Sequence, residues 1–134
     1  MKFVIFILPF AYNFLYLFNR KSNLFKGYRK WSIVTLYLMT GLIYIILKSQ
    51  INNSDKILEI WSFFTPLIFT TYLSLSTFIS KQIYNRDFKL FLMYSNEIDY
   101  LNPRKSKSKP LDKIISYFAL MLIFILPFFI TIFF

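Results

Sequence analysis

Four long apolar runs, Phe3–Phe18, Trp31–Leu47, Ile57–Ile79 and Ile114–Phe134, make up more than half of the chain, and the charge lies between them. Thirteen of the sixteen Lys and Arg residues fall in two connecting stretches, 19–30 and 80–113. A helix crosses a bilayer core with about 20 apolar residues, and about 17 is the lower limit. Only a helix or a closed barrel satisfies its own backbone there. Hydrophobic residues reach 57% and mean hydropathy is +0.51, more than a soluble domain of 134 residues can hide from water. The expected fold is an all-α integral membrane protein. It is one domain of about four transmembrane helices, with a short amphipathic and basic segment between the third and fourth.

The runs are not equal. The last has 21 residues without a charge or an amide, the third has 23 with Glu59 near its start, and the second has 17. The first has 16 and contains Pro9 and Asn13. It reads as a short or tilted span, with a helix lying in the interface as the alternative. A signal peptide fits less well, because Lys2 is the only charge before it and no small-residue cleavage pattern follows.

The connections set the orientation. Stretch 19–30 carries Arg20, Lys21, Lys26, Arg29 and Lys30 and no acid. Stretch 48–56 is nearly neutral, with Lys48 and Lys56 against Asp55. Stretch 80–113 carries eight cations and four acids. Lys/Arg-rich connections stay on the side of synthesis. Both basic stretches are therefore expected to face the cytoplasm or the mitochondrial matrix, with both termini opposite. The net charge of +10 would point to nucleic acid in a soluble protein. Here the membrane asymmetry accounts for it, and no nucleic-acid partner is expected.

Reactive chemistry is sparse. There is no Cys and no His, which removes imidazole relays, His-ligated haem and copper, and Ser/His or Cys/His nucleophiles. Gly27 and Gly41 stand alone, so there is no phosphate-cradling loop. Asp87, Glu97, Asp99 and Asp112 lack the spacing of a calcium loop. No catalytic residue, cofactor or metal site is expected.

The polar residues that remain suit packing and anchoring. Ser62, Pro66, Thr70, Ser74 and Thr77 recur at steps of four, four, four and three, one face of a helix. Small and hydroxylated residues let membrane helices approach and hydrogen-bond, so this is read as a helix-packing face, with a polar path as the alternative. Thr40 and Gly41 mark a second close approach. Pro9, Pro66 and Pro127 should bend their helices. Glu59 is expected to reach the interface beside Lys56. Trp31 and Trp61 begin their runs as interface anchors. Residues 83–94 read as a short surface helix, with Ile83, Leu90, Phe91, Met93 and Tyr94 toward lipid. Arg104, Lys105, Lys107, Lys109 and Lys113 read as a docking surface for anionic headgroups or an acidic partner, or as a solvated stop signal.

The expected function follows from this balance. It is a non-catalytic accessory subunit of a larger inner-membrane complex, partnered by membrane lipids and larger membrane subunits. Phe, Ile, Tyr, Asn, Lys and Met, whose codons are A/T-rich, total 71 of 134 residues. That bias favours a mitochondrial respiratory-chain or ATP-synthase assembly as host. A bacterial inner-membrane secretion or envelope machine is the first alternative. A small self-assembling pore lined by the hydroxyl face is the second.

Overall fold

The computed structural model describes residues 2–47, 53–92, 97, 108–129 and 132. Among them every regular element is helical: α1 (Lys2–Asn19), α2 (Arg29–Leu47), α3 (Asn53–Tyr84) and α4 (Pro110–Ile125), the last closing in a 3-10 turn over Leu126–Phe128. The first three apolar runs each lie in one helix, and the fourth lies, from Ile114 to Phe128, in α4 and the turn that closes it. Three stretches, Arg29–Leu47, Lys56–Tyr84 and Pro110–Phe128, are long and apolar enough to cross a membrane. The corresponding part of α1, Phe6–Asn19, is apolar but shorter.

The central element is α3, which packs against α1, α2 and α4. Its buried stripe is Glu59, Ser62, Pro66, Phe69, Leu73, Ser76 and Ser80, at alternating steps of three and four. That spacing keeps one side of a helix against its neighbours. The core joins Tyr16 and Leu17 of α1, Phe69 and Leu73 of α3, and Ile115, Ala119 and Ile123 of α4.

Pro66 costs α3 a backbone donor, which leaves the Ser62 carbonyl without its usual partner. The Thr65 hydroxyl donates to that carbonyl at 3.0 Å, so the gap is filled where no water is at hand. Near Pro127 the α-helix tightens into the 3-10 turn. The Trp61 indole there donates to the Leu126 carbonyl at 2.6 Å, tying the start of α3 to the end of α4.

The outlying helix is α2, which packs mainly on α3. Their contact is a ring in a notch. Phe63 lies against Gly41, flanked by Tyr37 and Tyr44 at ring distances of 5.5 and 6.1 Å. A Cβ at Gly41 would lie 2.4 Å from Phe63 Cδ1. Gly41→Ala is therefore expected to destabilise the α2–α3 pair by about 1–3 kcal/mol, the usual cost of overpacking. Denaturant titration in micelles checks this, and Phe63→Leu in the same chain should recover most of the loss.

The segment after α3 departs from the sequence reading. A surface helix over 83–94 was expected. Instead, α3 itself continues to Tyr84, and Asn85 at φ 55° takes the left-handed conformation that stops a helix. Residues 87–92 then run without regular structure, with Phe88, Leu90 and Leu92 buried and Lys89 and Phe91 only half-buried. That alternation has the period of an extended chain, not of a helix. The expected lipid contacts are thus reassigned: Leu90 is in the core, Phe91 is half-buried and Ile83 is exposed at the end of α3. Met93 and Tyr94 lie outside the described residues.

Candidate functional site

A buried chain segment without regular structure must still satisfy its backbone groups. Residues 87–92 do so with side chains from elsewhere, and this assembles the most polar site among the described residues. The Lys89 amide donates to Asp112 Oδ1 at 3.1 Å, the Leu90 amide to Glu97 Oε2 at 2.8 Å, and the Phe91 amide to Ser116 Oγ at 2.7 Å. On the carbonyl side, Arg86 donates to Asp87 O at 2.8 Å and Arg20 to Phe88 O. The segment is a strap pinned across one end of the bundle.

Arg20, just beyond α1, is the first pin. Its side chain is 6% exposed, and it bonds Asp87 and Glu97 at 2.7 Å each. Its guanidinium carbon lies 3.8 Å from the centre of the Phe88 ring, a stacked cation–π contact. Lys21 adds a longer contact of 3.4 Å to the same Glu97 oxygen. A forked, weakly hydrated guanidinium suits this position, because it can hold two carboxylates and a carbonyl in one plane.

Asp112 is the second pin. It is fully buried in the first turn of α4. It accepts from Arg86 at 2.8 Å and from the Lys109 amide at 2.7 Å, while its own amide donates to Lys109 O at 3.0 Å. A carboxylate here caps the open amides of the helix start and favours the positive end of its dipole. Ser116, one turn on, donates to Asp112 O at 2.6 Å and accepts from the strap. Three acids and two arginines, spread from position 20 to position 112, thus fix α1, α3 and α4 at one height.

This site also gathers the basic ends of the chain. The end of α1, the strap after α3 and the start of α4 meet through these pairs. Lys30, at the start of α2, donates to Ser74 Oγ at 2.9 Å.

The hydroxyl face lies along the middle of the bundle. Ser62, Pro66 and Thr70 are buried, and Ser74 and Thr77 are half-buried. Thr70 shares a hydrogen bond with Tyr12 of α1 at 3.2 Å, and Ser74 meets Lys30 of α2 while donating to Thr70 O at 2.8 Å. The face therefore meets two neighbouring helices rather than one. Glu59 is 5% exposed, turned toward the neighbouring helices. Its register decides this, since it stands on the buried stripe of α3.

Trp31 is exposed at the head of α2, and Trp61 is half-buried with its indole N–H on Leu126 O. Of the basic docking residues, Lys109 and Lys113 are exposed beside Asp112, and Lys113 Nζ lies 4.8 Å from the centre of the Phe91 ring. Arg104, Lys105 and Lys107 lie outside the described residues. Sequence reasoning missed the Arg20 and Asp112 pins. The one local signal was Asp112 two positions after Pro110, a common opening for a helix.

No protein-family model, curated protein or solved structure matches this chain.

Proposed function

We propose that this chain is a non-catalytic accessory subunit of a larger inner-membrane assembly. A mitochondrial respiratory-chain or ATP-synthase complex is the leading host, and a bacterial secretion or envelope machine is the second. The observation that carries this reading is α2. It packs mainly on α3, with Phe63 in the Gly41 notch and Lys30 on Ser74, and Leu36, Met39, Ile43 and Ile46 all face away from the bundle. Meanwhile α1, α3 and α4 are locked into a rigid block at their basic end. A rigid block with a long apolar fin suits a part that fills space between larger subunits.

The reading includes a fourth span. What supports it is the depth of α1: Tyr12 meets Thr70 in the middle of α3, and Arg20 meets Asp87 just beyond its end. A helix lying flat at the surface would not follow α3 in this way. At about 1.5 Å per residue, the 18 residues of α1 reach roughly 27 Å, close to a bilayer core. Both basic connections then share the matrix or cytoplasmic side, with both termini opposite.

Photo-crosslinking in the native membrane tests the reading. Photoreactive residues at Met39 and Ile43 should link to a distinct and reproducible protein subunit. Links to lipid alone would contradict the proposal. The hydroxyl face provides a second check. Thr70→Leu with Ser74→Leu should lower stability by about 1 kcal/mol for each lost hydrogen bond. Ion leak through liposomes should stay at the protein-free level for both chains. Flux in the native chain that vanishes in the double variant would favour a pore instead.

A further inference from the structure

We infer that the last two turns of α3 and the head of α2 form a ledge at the basic end that receives an acidic, amphipathic segment of a partner subunit. The levels of the helices define the ledge. Tyr12 on Thr70 sets the register of α1 against α3, and Lys30 on Ser74 with Gly41 at Phe63 sets that of α2. Trp61 on Leu126 and Tyr72 on Ile115 set that of α4. Counted from these pairs, Asn19, Arg29 and Pro110 all lie level with about residues 75–77 of α3. From there α3 runs on past them to Tyr84, roughly 10 Å further. Phe63 and Ser74 face α2, and Phe78 and Lys81 continue that side of α3 beyond the point where α2 begins. Phe78, Ile79 and Ile83 are exposed there, with Lys81 and Gln82, whereas Ser76 and Ser80 on the opposite side are buried.

Lipid does not account for these side chains. Arg20, Arg29, Lys30, Lys109 and Lys113 all stand near the level where the other three helices end, and charged groups mark the edge of the hydrocarbon. A core of ~30 Å in a bilayer of about 40–45 Å leaves roughly 5–7 Å of headgroups on each side. Ile83 lies about 9 Å beyond that level, past the headgroups. Exposed apolar side chains outside the hydrocarbon mark a contact with another protein. Charge selects that partner. Asp87 and Glu97 are already engaged by Arg20, and Asp112 by Arg86. Lys81 makes no hydrogen bond or ion pair among the described residues, and Lys30 has the Ser74 hydroxyl rather than a carboxylate. Lys81 also repels Lys30 across the ledge. A carboxylate set between apolar side chains answers both these cations and the Phe78 and Ile83 surface beside them.

This inference rests on the assembly reading and its membrane placement, but on a different surface from the face of α2. A photoreactive residue at Gln82 in the native membrane should link to a protein subunit, and the linked peptide should carry Asp or Glu beside apolar residues. Lys81→Glu should lower that yield about tenfold, and Lys81→Arg should keep it. Both are surface changes and should leave the helical content as in the native chain. A carbodiimide joins an amine to a touching carboxylate with loss of water. It should couple Lys81 to an acid of the same peptide, and Lys81→Arg should abolish that coupling while the photolink persists. Links from Gln82 to lipid alone, to residues 93–107 of this chain, or to a peptide without acids each overturn the inference. So does a yield that Lys81→Glu leaves unchanged. If Gln82 reaches no subunit while Met39 and Ile43 do, this inference falls and the assembly reading stands. If Gln82 reaches a subunit while Met39 and Ile43 reach only lipid, the ledge stands and the α2 reading falls.

Discussion

Arg20→Met is expected to lower the stability of the folded chain in micelles by about 3–5 kcal/mol, the usual cost of breaking a buried ion pair by removing one partner. The lost contacts are specific. Asp87 and Glu97 each lose a 2.7 Å partner, and Phe88 loses both a carbonyl donor and the cation over its ring. Two carboxylates would then be left without the guanidinium that neutralises them, Glu97 keeping the longer Lys21 contact at 3.4 Å and the Leu90 amide at 2.8 Å. Most of the penalty is that uncompensated charge. Asp87→Asn with Glu97→Gln should therefore rescue much of the loss in the Arg20→Met background. Arg20→Lys should fall between, since an ammonium can approach one carboxylate but cannot fork across two. Tryptophan fluorescence during denaturant titration is the readout. A loss below about 1 kcal/mol would mean that the pair behaves as a solvated surface bridge.

Asp112→Ala is the second large effect, again about 3–5 kcal/mol. One carboxylate here does three jobs. It pairs with Arg86 at 2.8 Å, anchors the strap through the Lys89 amide at 3.1 Å and closes the start of α4 through the Lys109 amide at 2.7 Å. Its removal leaves the Lys89 and Lys109 amides without this acceptor and Arg86 without its carboxylate. The loss should also be local in a measurable way. Amide exchange should quicken at Lys89, Phe91 and the first turn of α4, with less change in the middle of α3. Asn at this position keeps one acceptor oxygen and should cost less. An Arg86/Asp112 double-mutant cycle should give a coupling of about 1–3 kcal/mol. Uniform exchange across the chain would show that the strap is not separately held.

The long apolar helices were legible because hydropathy acts over whole runs. Trp31–Leu47 and Ile114 onward need no knowledge of neighbours to be read as helices. Gly41 was legible for a similar reason, since a lone small residue in an apolar helix marks a close approach. The strap was not. In Phe88-Lys89-Leu90-Phe91-Leu92 a short apolar run fits a helix face and an extended chain equally well, and periodicity over five residues cannot separate them. What decides is Asn85, whose left-handed turn ends α3, together with side chains distant in sequence. Arg20 was hidden differently. It lies in a stretch with five cations and no acid, where it reads as topology signal, while its partners lie 67 and 77 residues away. Glu59 was read only by its depth from the start of the run, and its burial follows from its angular position on α3.

The measurement that most directly tests the assembly role is a mild-detergent extraction from the native membrane, resolved on a native gel and identified by peptide mass spectrometry. The expected result is a large heteromeric band in which this chain recurs with the same membrane subunits. A chain that migrates alone, or only with copies of itself, would contradict it.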